Sequence, residues 1–93
     1  MGTFEKKELY HQAIEKWGFE SQSWMVVEEC SELLNAISKY RRGRVLPSAI
    51  LEELADVSIM VEQMALYFDE AEFERIKEAK LQRLLSRVQG FSR

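Results

Sequence analysis

The sequence predicts an all-α fold: an antiparallel four-helix bundle, assembled as a homo-oligomer. Apolar residues recur at helical spacing in four stretches, and no stretch alternates with the two-residue period of a strand. The connections between the stretches are short, which favours antiparallel neighbours. The 93 residues form one domain, residues 1–93, whose core is small enough that partner subunits would help to bury apolar surface.

Composition indicates a globular protein, because 46% of the residues are hydrophobic and 31% are charged. A net charge of -3 argues against nucleic acid as the main partner. A single cysteine permits no internal disulfide. No apolar run reaches the ~18 residues of a membrane span, and the first residues lack a signal peptide's apolar segment. We therefore expect a soluble, cytoplasmic protein without a membrane partner.

The first two predicted helices each end at a glycine. Thr3 is predicted to cap a helix that runs to about Trp17 and stops at Gly18. Ser21 or Ser23 would open a second helix, which continues to about Arg42 and stops at Gly43. The predicted apolar faces consist of Leu9, Ala13, Ile14 and Trp17 in the first helix, and of Val26, Val27, Cys30, Leu33, Leu34 and Ile37 in the second.

The third helix is predicted to be the most apolar. Pro47 suits its first turn, and from Leu54 to Phe68 only Asp56 and Glu62 are charged. We therefore expect this helix to be central or to lie at a subunit interface.

A fourth helix is predicted to begin with a capping box of Asp69 and Glu72 and to run to about Gln89, ended by Gly90. It has an apolar face and a basic face, formed respectively by Phe73, Ile76, Leu81, Leu84 and Val88 and by Lys77, Lys80, Arg83 and Arg87.

Two acidic pairs interrupt the apolar sequence of the second and third helices: Glu29-x-x-Glu32 and Glu53-x-x-Asp56. Residues three apart share a helix face, with Cβ atoms about 5–6 Å apart. If the two helices pack together, four carboxylates converge, which costs stability unless a divalent cation neutralises them. Mg²⁺ prefers such oxygens and shares its other positions between water and substrate phosphates. The pattern therefore favours a magnesium site.

The same spacing occurs at Glu5-x-x-Glu8, where intervening lysines indicate an ordinary solvated face. It also occurs at Asp69-x-x-Glu72, the predicted cap of the fourth helix. Spacing alone is therefore weak evidence. The central pairs differ because Asp56 stands among apolar neighbours and needs a partner that they do not supply.

The residues of these pairs resemble the signature of the MazG-like, all-alpha nucleoside triphosphate pyrophosphohydrolases, E-E-x-x-E followed by E-x-x-D. The matching segments are Glu28-Glu29-Cys30-Ser31-Glu32 and Glu53-Leu54-Ala55-Asp56, and their order, helical placement and gap of about twenty residues agree. The resemblance extends from about Trp17 to Arg83. One departure concerns the fourth helix, where several members have an asparagine before the lysine and arginine and this chain has Glu78 and Ala79.

The resemblance implies Mg²⁺-dependent hydrolysis of a (d)NTP between its α and β phosphates, which gives a monophosphate and pyrophosphate. We also expect a homodimer or homotetramer in which a neighbouring subunit completes the pocket, because the third helix is more apolar than one subunit can cover. Glu28 or Glu29 would orient or deprotonate the attacking water. The implied metal ligands are Glu29, Glu32, Glu53 and Asp56; the phosphate contacts are Lys80 and Arg83 or the arginines of the 41–44 loop, among them Arg44; and the base contacts are Trp17, Gln22 and Trp24.

Other interpretations stay open at this point. The chain could be a non-catalytic helical interaction module, or a sensor that binds nucleotide and metal without hydrolysis. Trp17 and Trp24 could be core anchors, and the basic run before the third helix could be a solvated helix end. Cys30 is predicted to be a buried, inert thiol and His11 a surface residue.

Overall fold

The computed structural model describes residues 1–90, which form four α-helices. They are α1 (Thr3–Trp17), α2 (Phe19–Arg41), α3 (Pro47–Phe68) and α4 (Glu70–Val88). No strand occurs among residues 1–90, so the prediction of an all-α fold with four helices is confirmed. None of the helices in this part of the chain has the length and apolar character that crossing a membrane requires.

Gly18 joins α1 to α2 without a loop. Its backbone has φ 86° and ψ 153°, a conformation essentially restricted to glycine. Its N–H donates to the carbonyl of Ile14 at 2.8 Å, and its own carbonyl accepts from the N–H of Gln22 at 3.1 Å. The same residue therefore ends α1 and begins α2, and the predicted start of α2 at Ser21 or Ser23 was wrong.

The start of α1 also differs from the prediction. Gly2 is the cap residue and Thr3 already lies in the first turn. The Gly2 N–H donates to Oε1 of Glu5 at 2.8 Å. The Glu5 side chain thus pairs with the N–H of the cap residue, and no side-chain hydroxyl caps the first turn of α1.

Only one of the two hydrogen bonds of the predicted capping box forms at the start of α4. Oδ1 of Asp69 accepts from the N–H of Glu72 at 3.0 Å, as expected. The Glu72 side chain instead accepts from Nε of Arg75 at 2.9 Å, while the Asp69 N–H donates to the carbonyl of Ala65. Asp69 therefore ends α3 and begins α4.

Helix α3 is central, as predicted, because it packs against each of the other three helices. Helix α4 packs against α3 alone, and one ion pair, Lys7 with Glu70 at 2.9 Å, links it to α1. No residue of α4 is buried.

The core of the described chain is small. The buried apolar residues are Tyr10, Ala36 and Met60, and the buried polar residues are Gln22 and Gln63. The chain exposes 7287 Å², whereas a compact monomer of its mass exposes about 5600 Å². Its radius of gyration is 16.1 Å, against about 12 Å expected for this length. A single copy therefore leaves much of its apolar helix surface uncovered.

Candidate metal centre

The contact between α2 and α3 places the acidic pairs opposite each other. Near the start of α2, Nε2 of Gln63 donates to Oε1 of Gln22 at 2.6 Å. Further along α2, the carboxyl group of Glu29 meets that of Asp56, and next the carboxyl of Glu32 meets that of Glu53. Along this contact, the residue numbers on α3 therefore decrease as the residue numbers on α2 increase.

The carboxylates form two overlapping groups. Glu28, Glu29 and Glu32 offer oxygens that lie within 4.8 Å of one another, and so do Glu29, Glu53 and Asp56. Glu29 belongs to both groups. The four predicted ligands therefore do not form one cluster at this distance, and Glu28, predicted only as a catalytic residue, lies among them.

The electrostatics of the site reflect this crowding. Loss of hydration, followed by repulsion from Asp56 and Glu32, raises the pKa of Glu29 to about 6. Loss of hydration and repulsion from Glu32 and Asp56 also raise the pKa of Glu53. The charges that act on Glu29 and Glu53 are all acidic, so the site concentrates negative charge that no described basic group offsets.

One oxygen of the site has no partner. Oε1 of Glu53 is buried and makes no hydrogen bond among the described residues. A buried carboxylate oxygen without a partner is costly. Together with the two converging oxygen groups, this atom fits a bound hard cation, since Mg²⁺ and Ca²⁺ both take carboxylate oxygens. The cluster does not distinguish between such ions.

Asp56 is more exposed than its apolar neighbours in sequence indicated. Asp56 is exposed, as are Glu28 and Glu32, while Glu29 and Glu53 are half-buried. The neighbouring Ile59 is itself 48% exposed, so the apolar sequence around Asp56 lies partly on the surface of the single chain. The group that Asp56 does meet is the carboxyl of Glu29.

Among the described residues, the basic candidates form no ion pair with the carboxylates of the site. Arg44 is exposed in the loop that joins α2 to α3, and Lys80 and Arg83 are exposed on α4. None of the three side chains forms an ion pair within residues 1–90. The structure therefore leaves all three free to meet a ligand and does not bring them to the acidic groups.

The base-contact candidates have different environments. Gln22 is buried against Gln63, two turns along α2 from Glu29. Trp24 is 65% exposed, and its position two residues after Gln22 turns it to another side of the helix. Trp17 is 56% exposed, with Nζ of Lys16 5.5 Å from its ring centre. Neither tryptophan is a core anchor in the single chain.

Two contacts escaped sequence analysis. The hydroxyl of buried Tyr10 donates to Oε1 of Glu62 at 2.6 Å, and loss of hydration with this bond raises the pKa of Tyr10 to about 12. The second is the Gln22–Gln63 amide pair. Gln63 is a polar residue at core spacing on α3, and this spacing was a signal in the sequence for a buried position. The identity of its partner, Gln22, could not be predicted because it depends on how α2 and α3 align.

The prediction for Cys30 was wrong. It was predicted to be a buried, inert thiol and is exposed. His11 is exposed, as predicted.

No protein-family model, no curated protein and no solved structure matches the chain.

Proposed function

We propose that this chain is a Mg²⁺-dependent nucleoside triphosphate pyrophosphohydrolase of the MazG-like type. The observation that carries the proposal is Glu29, which is shared by two groups of converging carboxylates. One of these groups includes Glu53, whose Oε1 is buried without a partner among the described residues. A cation there offsets the charge of the acids and of a triphosphate, and lowers the pKa of a bound water. The proposed cleavage separates the α and β phosphates and gives a monophosphate and pyrophosphate.

The side chains divide the proposed reaction between them. Glu29, Glu32, Glu53 and Asp56 hold the cation. Glu28 or Glu29 orients the attacking water and takes its proton. Glu28 and Glu29 suit this role because both lie among the carboxylates that would hold the cation.

The remaining contacts belong to the substrate. Arg44, Lys80 and Arg83 are the proposed phosphate contacts, because guanidinium and ammonium groups pair with phosphate oxygens and these three are exposed. Trp17, Gln22 and Trp24 are the proposed base contacts; both tryptophan rings are exposed and able to stack.

The proposed assembly is an antiparallel bundle that forms a cytoplasmic homodimer or homotetramer. The opposed numbering of the α2–α3 contacts supports the antiparallel arrangement. The large exposed area of the single chain supports the oligomer.

The direct test is incubation with a panel of canonical and modified (d)NTPs with Mg²⁺, and measurement of pyrophosphate. The matched variants are Glu53→Gln with Asp56→Asn, and, as a control, Glu8→Gln with Glu15→Gln on the exposed face of α1. The first pair is expected to abolish turnover and to leave the metal-free protein equally or more stable, because repulsion is relieved. Folded wild-type protein that releases no pyrophosphate from any substrate contradicts the proposal.

A second candidate function is a non-catalytic interaction module, favoured by the exposed apolar residues of α4. A sensor that binds nucleotide without hydrolysis is a variant of it. Calorimetry separates them: Mg²⁺-dependent nucleotide binding without product indicates the sensor, and no nucleotide binding indicates the module.

A further inference from the structure

A groove on the side of α3 away from α2 has an apolar floor and a charge-balanced rim. It encloses about 510 Å³ between α1, α3 and α4, and its floor includes Leu54, Val57 and Val61 of α3. Three lysines line it, and each is within ion-pair distance of a glutamate that also lines it: Lys6 with Glu62, Lys7 with Glu70, and Lys77 with Glu74. Because these charges pair with each other, the apolar floor decides what fits, and an apolar helix face fits better than an anion.

The last part of α4, residues 80–88, has the complementary character; we call it the arm. Its apolar side chains recur at spacings of three and four, which places them in one stripe. They are exposed by 50%, 52%, 47% and 76% and consist of Leu81, Leu84, Leu85 and Val88.

The charge of the arm also differs from that of the rest of the chain. The arm carries Lys80, Arg83 and Arg87 and no acidic residue, whereas all 16 acidic residues precede it. A basic helix is attracted to such an acidic body, which favours the encounter of two copies. The apolar floor, and not charge, then selects the groove as the place where the arm binds.

The arm cannot reach the groove of its own copy. The first part of the same helix, at Glu70, Phe73 and Lys77, already forms one wall of that groove. Since α4 is one continuous helix of 19 residues, the arm continues away from the wall and cannot fold back. The groove of another copy is free of this restriction.

We infer that the groove is the seat of the arm of a second copy, in a twofold dimer that exchanges arms reciprocally. Such an exchange is a closed, isologous interface. The exposed area is large enough for such an interface, because the chain exposes about 1700 Å² more than a compact monomer and a stable interface covers about 800 Å² or more on each partner. The inference rests on the homo-oligomer included in the proposed function, and it identifies the arm and the groove as the surfaces that form the contact.

The first test measures molar mass by light scattering and dimer dissociation by analytical ultracentrifugation, without nucleotide or metal. Wild-type protein is expected at twice 10.9 kDa or a multiple of that dimer. Leu84→Glu is expected to weaken the dimer about 30-fold or more, as loss of a buried anchor does. Gln82→Glu places the same charge on another side of the arm, where the Gln82 amide donates to Oε2 of Glu78, and should leave the dimer intact.

A mixing experiment identifies the contact itself. Val61→Lys damages the groove and Leu84→Glu damages the arm, so neither variant alone retains an intact arm–groove contact. A mixture of the two retains one, and is expected to dimerise at least tenfold more tightly than either variant alone. Circular dichroism checks that both variants stay helical; if Val61→Lys unfolds, Leu54→Gln replaces it.

Three outcomes overturn the inference: a monomeric wild-type protein, a dimer that Leu84→Glu leaves unchanged, or a mixture no tighter than its components. Because these measurements involve no substrate, failure of hydrolysis leaves the inference standing. A monomer that hydrolyses nucleotides overturns only the inference.

Discussion

The side-chain amide of Gln63 donates to the side-chain oxygen of Gln22 at 2.6 Å, in a contact that buries both residues between α2 and α3. Each amide would be costly to bury alone. The pair therefore favours one alignment of the two helices. It is the alignment in which Glu29 meets Asp56 two turns further along α2.

Gln63→Leu is expected to destabilise the protein by about 1–3 kcal/mol, because it leaves the Gln22 amide buried without its partner. Urea unfolding followed by circular dichroism measures this change. The double variant Gln22→Leu with Gln63→Leu should recover most of the loss, since an apolar pair leaves no unsatisfied group. If the double variant is as unstable as the sum of the single variants, the two amides do not act as a pair.

The ends of the helices could be predicted where a local signal decides them. Gly18, Pro47 and Asp69 act through their own backbone or side chain, and each marks a helix end in the structure. The predicted first residues of α1 and α2 were wrong, because the cap residues are glycines, Gly2 and Gly18, and not residues with a hydroxyl group. Gly18 alone begins α2, so Ser21 was not needed as a cap.

The core could not be predicted in the same way. Helical periodicity marked Leu9 and Trp17 as core residues, and both are about half exposed, while Tyr10 between them is buried. Periodicity identifies an apolar side of a helix without saying whether this chain or a second copy covers it. The acidic site shows the same limit: its residues were predicted, whereas the sharing of Glu29 by two groups depends on the alignment of α2 with α3.

Gly18→Ala is expected to destabilise the protein by about 1–3 kcal/mol, because its φ of 86° and ψ of 153° suit only glycine. No heavy atom outside its immediate neighbours lies within 4 Å of an added Cβ, so backbone strain alone would cause the loss. Urea unfolding measures it. The control is Gly2→Ala, where φ is -80° and alanine meets no backbone strain; its added Cβ lies 3.3 Å from Oε1 of the Glu5 side chain, which can shift. Equal stability of Gly18→Ala and wild type would mean that the joint between α1 and α2 has another conformation.

Metal-free protein is expected to become less stable as the pH rises from about 4.5 to 6. The pKa of Glu29 is about 6 in the folded chain against an ordinary value of 4.5, so the folded state binds more protons than the unfolded state in this window. The raised pKa of Glu53 acts with the same sign. The lowered pKa of Glu72, caused by Arg75, acts with the opposite sign but below its ordinary value of 4.5.

Urea unfolding at several pH values, with chelator or with Mg²⁺, tests this expectation. Mg²⁺ should reduce or reverse the slope, because a cation favours the deprotonated carboxylates. Glu29→Gln should remove most of the slope in chelator. A slope that neither Mg²⁺ nor Glu29→Gln alters would assign the titration to other groups.

Arg44→Ala is expected to lower kcat/KM for nucleotide hydrolysis about 10- to 100-fold, the effect of losing one charge-assisted hydrogen bond to a phosphate. Arg44 is exposed and makes no ion pair within residues 1–90, so its removal should change the free energy of unfolding by about 0.5 kcal/mol or less. Pyrophosphate release measures the activity. Lys80→Ala and Arg83→Ala, measured in the same way, show whether α4 also contacts phosphate.

The matched control is Arg42→Ala in the same loop region. Nη2 of Arg42 donates to Oγ of Ser38 at 2.5 Å, and its Nε donates to the Ser38 carbonyl, so this side chain is held along its own helix. Its removal is expected to change kcat/KM less than threefold, an effect below about 0.7 kcal/mol. If Arg42→Ala and Arg44→Ala lower the activity equally, the loss reflects the positive charge of the helix end in general. If only Arg44→Ala lowers it, a specific phosphate contact explains the result, because the two arginines differ in whether the guanidinium is already bound.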